Sequence, residues 1–198
     1  MAIYSDNSPF VAPSGPSYLI NEPMTGTAGE DWSPDYFSLY DGFAFDIVAG
    51  GVGVKQGTAE VATKYKFLTN VSNNEITFDY TFSSGQGSVR ISSRGDQQSA
   101  GLGIYIQYNG SISAVQNNGN PGDADYYGGS MSGIAIGTHS YKITSNGGSM
   151  WVYVDDVLKA RWDDLTATTS SQITLVGQRY NSSTPWGGVL SNFKVTQL

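Results

Sequence analysis

The chain has 198 residues, with 10 Lys and Arg against 17 Asp and Glu, a formal net charge of −7 and no cysteine. The acidic balance argues against a nucleic-acid backbone or an anionic membrane surface as partner, because both need clustered cations. The lack of cysteine excludes disulfides and thiolate metal sites.

With 13 Tyr, 8 Phe, 4 Trp and 25 Gly, the composition suits strands joined by tight turns, in one domain with a sizeable core. Residues 1–36 hold Pro9, Pro13, Pro16, Pro23 and Pro34, five of the seven prolines. Proline cannot donate to a sheet ladder, so an extended arm is expected there. The domain division places the arm at residues 1–20 and the folded domain at 21–198. Tyr4, Phe10, Tyr18 and Leu19 are the arm's candidate anchors, docking either on its own domain or on a neighbouring chain. Residues 1–20 show neither a basic n-region nor an apolar h-region, so no signal peptide is expected. No apolar stretch approaches the roughly 20 residues that span a bilayer.

From Tyr36 the pattern becomes strand-like. Glu75 to Phe82 alternates: Ile76, Phe78, Tyr80 and Phe82 share one face, and Glu75, Thr77, Asp79 and Thr81 the other. Ser88 to Ser93 and Leu102 to Tyr108 follow, and Asn109-Gly110 turns the chain into Ser111 to Val115, a hairpin signal. Thr138 to Ser145 leads through Asn146-Gly147-Gly148 into Met150. Trp151 to Val154 then meets Val157 to Trp162 across Asp155-Asp156, residues that tolerate positive φ. Ile173 to Val176 and Val189 to Val195 complete a set of about ten strands and no helix, an antiparallel β-sandwich. Gly50-Gly51-Val52-Gly53 and Gly101-Leu102-Gly103 read as bulges or close approaches of backbone, since neither carries the Lys and helix of a phosphate loop.

Catalysis has little to stand on. The only glutamates are Glu22, Glu30, Glu60 and Glu75. Glu75 and Asp79 share a face but lie about 13 Å apart along a strand, whereas a retaining glycosidase pair needs about 5 Å. His139, the one histidine, is expected to cap a strand rather than to serve a triad or a zinc ion. Binding is the better prospect. The segment Asn117 to Ser130 reads as a long polar loop holding Asp123, Asp125, Tyr126 and Tyr127, where tyrosine rings stack on sugars and polar groups bond hydroxyls. Trp186, between Pro185 and Gly187, is a second exposed-aromatic candidate. Trp151 and Trp162 are assigned to packing, and Asp163-Asp164 to a solvated turn.

Several segments resemble the concanavalin A-like lectin/glucanase superfamily, in particular laminin G-like jelly-roll domains of phage and bacterial surface proteins. They are Met24 to Gly29 followed by Ser33-Pro34-Asp35, the strand Ile76 to Phe82, Gly137-Thr138-His139, the hairpin Val152 to Leu158, and Ser191-Asn192-Phe193-Lys194-Val195. The resemblance covers roughly residues 21–198 and implies an all-β jelly-roll sandwich. Relatives often carry aspartate where this chain has Asn21 and Ser191, so no calcium or other cofactor is expected. The combined expectation is a non-catalytic structural or adhesion protein on a phage-type virion surface, a capsid decoration or fibre component made in the host cytoplasm. Its partners would be other virion proteins, copies of itself or surface glycans. A free glycan-binding lectin module and, less favoured, a glycoside-active enzyme are the alternatives.

Overall fold

The computed structural model describes residues 18–41, 44–54, 61–67, 71, 73–82, 88–94, 101–107, 110–117, 124–131, 134–163, 173–179 and 188–198. Among them are fifteen strands and no helix. In chain order they are β1 (Ile20–Glu22), β2 (Phe37–Asp41), β3 (Phe45–Val48), β4 (Gly51–Val54), β5 (Val61–Phe67), β6 (Asn74–Phe82), β7 (Ser88–Arg94), β8 (Gly101–Gln107), β9 (Ile112–Asn117), β10 (Ala124–Met131), β11 (Gly137–Asn146), β12 (Ser149–Val154), β13 (Val157–Trp162), β14 (Thr174–Arg179) and β15 (Gly188–Gln197).

The strands form two antiparallel sheets. The larger has the order β13-β12-β11-β6-β15-β4-β3, with β1 also paired to β15; the smaller runs β10-β9-β8-β7-β14-β5-β2. Strand β6 shows why they face each other. Its inward residues Ile76, Phe78, Tyr80 and Phe82 are buried, and Glu75, Thr77, Asp79 and Thr81 between them are half-buried on the outer face. This is the period-2 pattern of a sheet with one face on a core. The smaller sheet answers with Val89, Ile91, Ile104, Ile106 and Leu175. At the centre Phe78 stacks on Tyr141 with ring centroids 5.0 Å apart, and Phe193 lies 6.2 Å away.

Buried polar groups tie the sheets. The Tyr65 hydroxyl accepts from the Phe45 amide (3.2 Å) and donates to the Trp32 carbonyl (2.9 Å). Burial pushes this phenol up to about 12, so it is a permanent donor. At the other end Ser93 and Ser145 share a hydroxyl–hydroxyl bond across the sandwich, and Asn74 donates to the Ser93 carbonyl at 2.8 Å.

The turns carry the expected chemistry. Asp155 and Asp156 have φ of 51° and 61°, the paired positive values of a tight two-residue hairpin, and Val154 lies opposite Val157. Gly147 (φ 58°) turns β11 into β12, and Gly110 (φ 76°) joins β8 to β9. The expected close approaches exist at two glycines: a Cβ on Gly51 would meet the Leu190 carbonyl oxygen, and one on Gly103 the Ile91 carbonyl oxygen.

At the expected domain boundary Ile20 is the first residue of β1 and fully buried, and the Leu19 amide donates to Val195 at 2.7 Å. Two expectations are corrected. The chain is more finely divided than about ten strands. The segment Asn117 to Ser130 is not a loop throughout, because Ala124–Met131 forms β10 and pairs with β9. Its small and polar residues hid a strand whose one ladder partner among the described residues is β9.

Candidate functional site

The outer face of the larger sheet carries a groove of about 350 Å³, lined by Thr77, Phe78, Asp79, Ser140, Tyr141, Lys142, Asp156, Asn192 and Lys194. Three neighbouring strands build it, β11, β6 and β15. Register sets two rows. Lys142 lies opposite Thr77, and Thr77 opposite Lys194; two residues along, Ser140 lies opposite Asp79, and Asp79 opposite Ser191. Alternate strand residues share a face, so both rows point outward.

Asp79 is the hub of the second row. Ser140 Oγ donates to Oδ1 at 2.6 Å and Asn192 Nδ2 donates to Oδ2 at 2.7 Å. Asn192 reaches it from a bulge: the β15–β6 register shifts between Ser191 and Lys194, and Asn192 has φ 53°. Asparagine is among the few side chains that tolerate that conformation, and a bulge re-aims a side chain. In the first row both ammonium groups lie over aromatic rings. Lys142 Nζ is 4.6 Å from the Tyr153 centroid and Lys194 Nζ is 5.5 Å from that of Tyr18.

The β12–β13 turn closes one end of the groove and is pinned from outside. His139 Nδ1 lies 2.7 Å from Asp155 Oδ2, His139 Nε2 lies 3.0 Å from the Ala135 carbonyl, and the Ser140 amide donates to Asp155 Oδ1 at 3.0 Å. The His139 hydrogen bond first, then the Ser140 amide, hold the Asp155 carboxyl below its ordinary value of 3.8. A depressed carboxyl contributes stability that is present above the unfolded value and lost as pH falls through the folded one. The group is exposed, so the contribution is small. We expect the gap in urea midpoint between the parent and Asp155→Asn to shrink between about pH 5 and pH 3. A gap that stays constant over that interval refutes the pin.

The residues picked out from sequence distribute widely. Tyr18 and Leu19 dock on this chain's own sandwich, Tyr18 under Lys194 and Leu19 against the core. Tyr4, Phe10, Asp123 and Trp186 lie outside the described residues. Asp125, Tyr126 and Tyr127 are in β10, on the smaller sheet rather than beside the groove. Tyr126 is opposite Val115 in the register row of Gly103 and Ser92, while Tyr127 is opposite Ala114 in the row of the core residues Ile104 and Ile91. His139, expected to cap a strand, sits inside β11 and ties it to the β12–β13 turn. Trp162 packs against the core, whereas Trp151 is half-buried beside Arg161, whose guanidinium carbon is 5.6 Å from its ring. Asp163 pairs with Arg161 at 2.8 Å.

None of Asp79, Ser140, Lys142, Asn192 and Lys194 was picked out from sequence as a binding residue. Their signal was the polar half of each alternating strand, which looks the same whether it meets solvent or a ligand. Among the described residues no group of three or more His, Asp or Glu side chains converges on a metal-sized point.

No protein-family model and no curated protein sequence matches the chain. Solved structures do. The carbohydrate-binding module CBM66 from Bacillus subtilis superposes with a TM-score of 0.61 at 15% identity, over 88% of this chain and 99% of that one. The β-glucanase of Bacillus licheniformis gives 0.60 at 11% identity, over 94% and 100%. A Bacillus subtilis protein of unknown function with a galectin-like fold gives 0.62 at 10% identity, over 91% and 96%. Identities this low establish a shared architecture and leave the ligand to be argued from this chain's own side chains.

Proposed function

We propose, from the concanavalin A-like jelly-roll sandwich that this chain forms, that it is a non-catalytic module binding glycans in the groove of its larger sheet. One observation carries this reading. Hydroxyl, amide, carboxylate and ammonium groups from three adjacent strands converge on one open recess, with Asp79 already oriented by Ser140 and Asn192. Sugars present many hydroxyls in fixed directions, and a preorganised array of donors and acceptors on a rigid sheet is what discriminates among them. Asp79 acts as an acceptor and organiser here. Both its oxygens are engaged, which disfavours it as a free acid or nucleophile. The two carbohydrate-related proteins of this fold, a binding module and a glucanase, support a sugar ligand and leave catalysis to be tested directly.

The test is a glycan array with the purified chain, beside an Asp79→Ala/Ser140→Ala variant. The variant is expected to bind the parent's ligands at least about tenfold more weakly, since charge-assisted hydrogen bonds are lost, with its thermal midpoint little changed. Tyr126→Ala and Tyr127→Ala, made singly, test the smaller sheet: binding lost in either one while the groove variant binds normally moves the site to β10. Glycan hydrolysis that Glu75→Gln abolishes overturns the non-catalytic reading. Placement of the module on a phage-type particle is a separate proposal that rests on the arm. It predicts that removing residues 1–17 abolishes assembly while glycan binding persists.

A further inference from the structure

The geometry points to a sugar residue with an anionic substituent, a carboxylate or a sulfate, as the ligand of the groove, its negative group held between Lys142 and Lys194. The inference rests on the glycan-binding reading and narrows it.

The argument is one of unmatched charge. Asp79 already receives two hydrogen bonds. Lys142 and Lys194 have no carboxylate partner among the described residues, each ammonium lying only over a tyrosine ring. Arg161 on the same sheet differs, because Asp163 holds it at 2.8 Å. A ring quadrupole attracts an ammonium without neutralising it. The two lysines flank Thr77 as cross-strand neighbours, each one strand away. With roughly 5 Å per step, their backbones stand about 10 Å apart. Each stem leans away from Thr77, Lys142 onto Tyr153 of β12 and Lys194 onto Tyr18 ahead of β1, and rotation of the two flexible four-carbon stems inward brings both ammonium groups to one anion above the Thr77 hydroxyl.

The other end of the groove has the opposite character. Asp156 and Asp79 lie there with Ser140 and Asn192, two residues along the strands. This separation is about 7 Å, on the scale of one sugar ring. Carboxylates at that end repel an anion and accept hydrogen bonds from hydroxyls. A ring with hydroxyls at one side and a negative group at the other is therefore oriented in a single sense. The chain as a whole carries −7, so this local pair of cations discriminates against a background that disfavours anions.

The experiment is calorimetric titration of the full chain with four probes: an oligogalacturonate, its methyl ester, a 6-sulfated disaccharide and a cello-oligosaccharide. The parent is expected to bind the oligogalacturonate or the sulfated probe at least about tenfold more tightly than the methyl ester or the neutral probe. That preference should shrink as salt is raised. The preferred anionic probe identifies the substituent. Lys142→Gln/Lys194→Gln should erase the preference, and Lys142→Arg/Lys194→Arg should restore most of it. Equal affinity for neutral and anionic probes, or an unchanged preference in the glutamine variant, overturns the inference and leaves the glycan reading standing. Failure of all four probes to bind overturns the inference, and the glycan array then decides separately whether the module binds sugar at all.

Discussion

Replacing Phe78 with alanine is expected to lower the unfolding free energy by about 3–5 kcal/mol, the usual cost of emptying an aromatic site in a packed core. Phe78 is almost fully buried in the middle of β6, between Tyr141 on β11 and Phe193 on β15. The Tyr141 hydroxyl is itself buried and meets no hydrogen-bond partner among the described residues, so packing on Phe78 is a main hold on that ring, and burial pushes its phenol well above the ordinary range. Removing the ring it stacks on leaves a void that neither neighbour can fill without leaving its strand. For a chain of this size the thermal midpoint should fall by roughly 6–20 °C. The effect reaches the groove, because Thr77 and Asp79 flank Phe78 on the same strand. Urea denaturation of Phe78→Ala gives the number directly. A loss below about 1 kcal/mol would mean that the central layer is loosely packed.

Gly51→Ala is the second large effect, with a different cause. The added Cβ would run into the Leu190 carbonyl oxygen, with the Leu190 carbonyl carbon and Val189 Cγ1 each at 2.9 Å. The obstacle is mainly backbone of β15, and Leu190 opposite Val52 is the register pair that joins β4 to that strand. Relief therefore means separating β4 and β3 from the sheet, at about 3 kcal/mol or more. Gly26→Ala is the control. Its Cβ would meet only the far end of the Ile47 side chain, which can rotate away, so the cost should stay below about 1 kcal/mol. Chemical denaturation of the two variants side by side separates the cases, and equal costs would refute the close approach at Gly51.

How far sequence reasoning reached follows from where each signal is stored. The alternation of Glu75 to Phe82 and the Asp155-Asp156 turn are local patterns, set by the strand period and by the φ preferences of single residues, and both appear as expected. The segment 117–130 misled because glycine and small polar residues carry loop chemistry, while pairing with β9 overrode that propensity. The glycines at 51 and 103 announced a close approach without naming the partner, since the partners, Leu190 and Ile91, belong to other strands.

The groove marks the same boundary. Lys142, Thr77 and Lys194 are far apart in the chain, and so are Ser140, Asp79 and Asn192, yet each set lies on three adjacent strands. By itself the sequence determined the all-β class, the faces of the clearest strands and the tight turns, because these depend on residue type and near neighbours. Only the tertiary structure decided which polar face holds a recess and which cations meet no carboxylate among the described residues. Strand order is chosen by long-range pairing and burial, and a solvent-facing half-strand has the same pattern whether its neighbours make a groove or a plain surface.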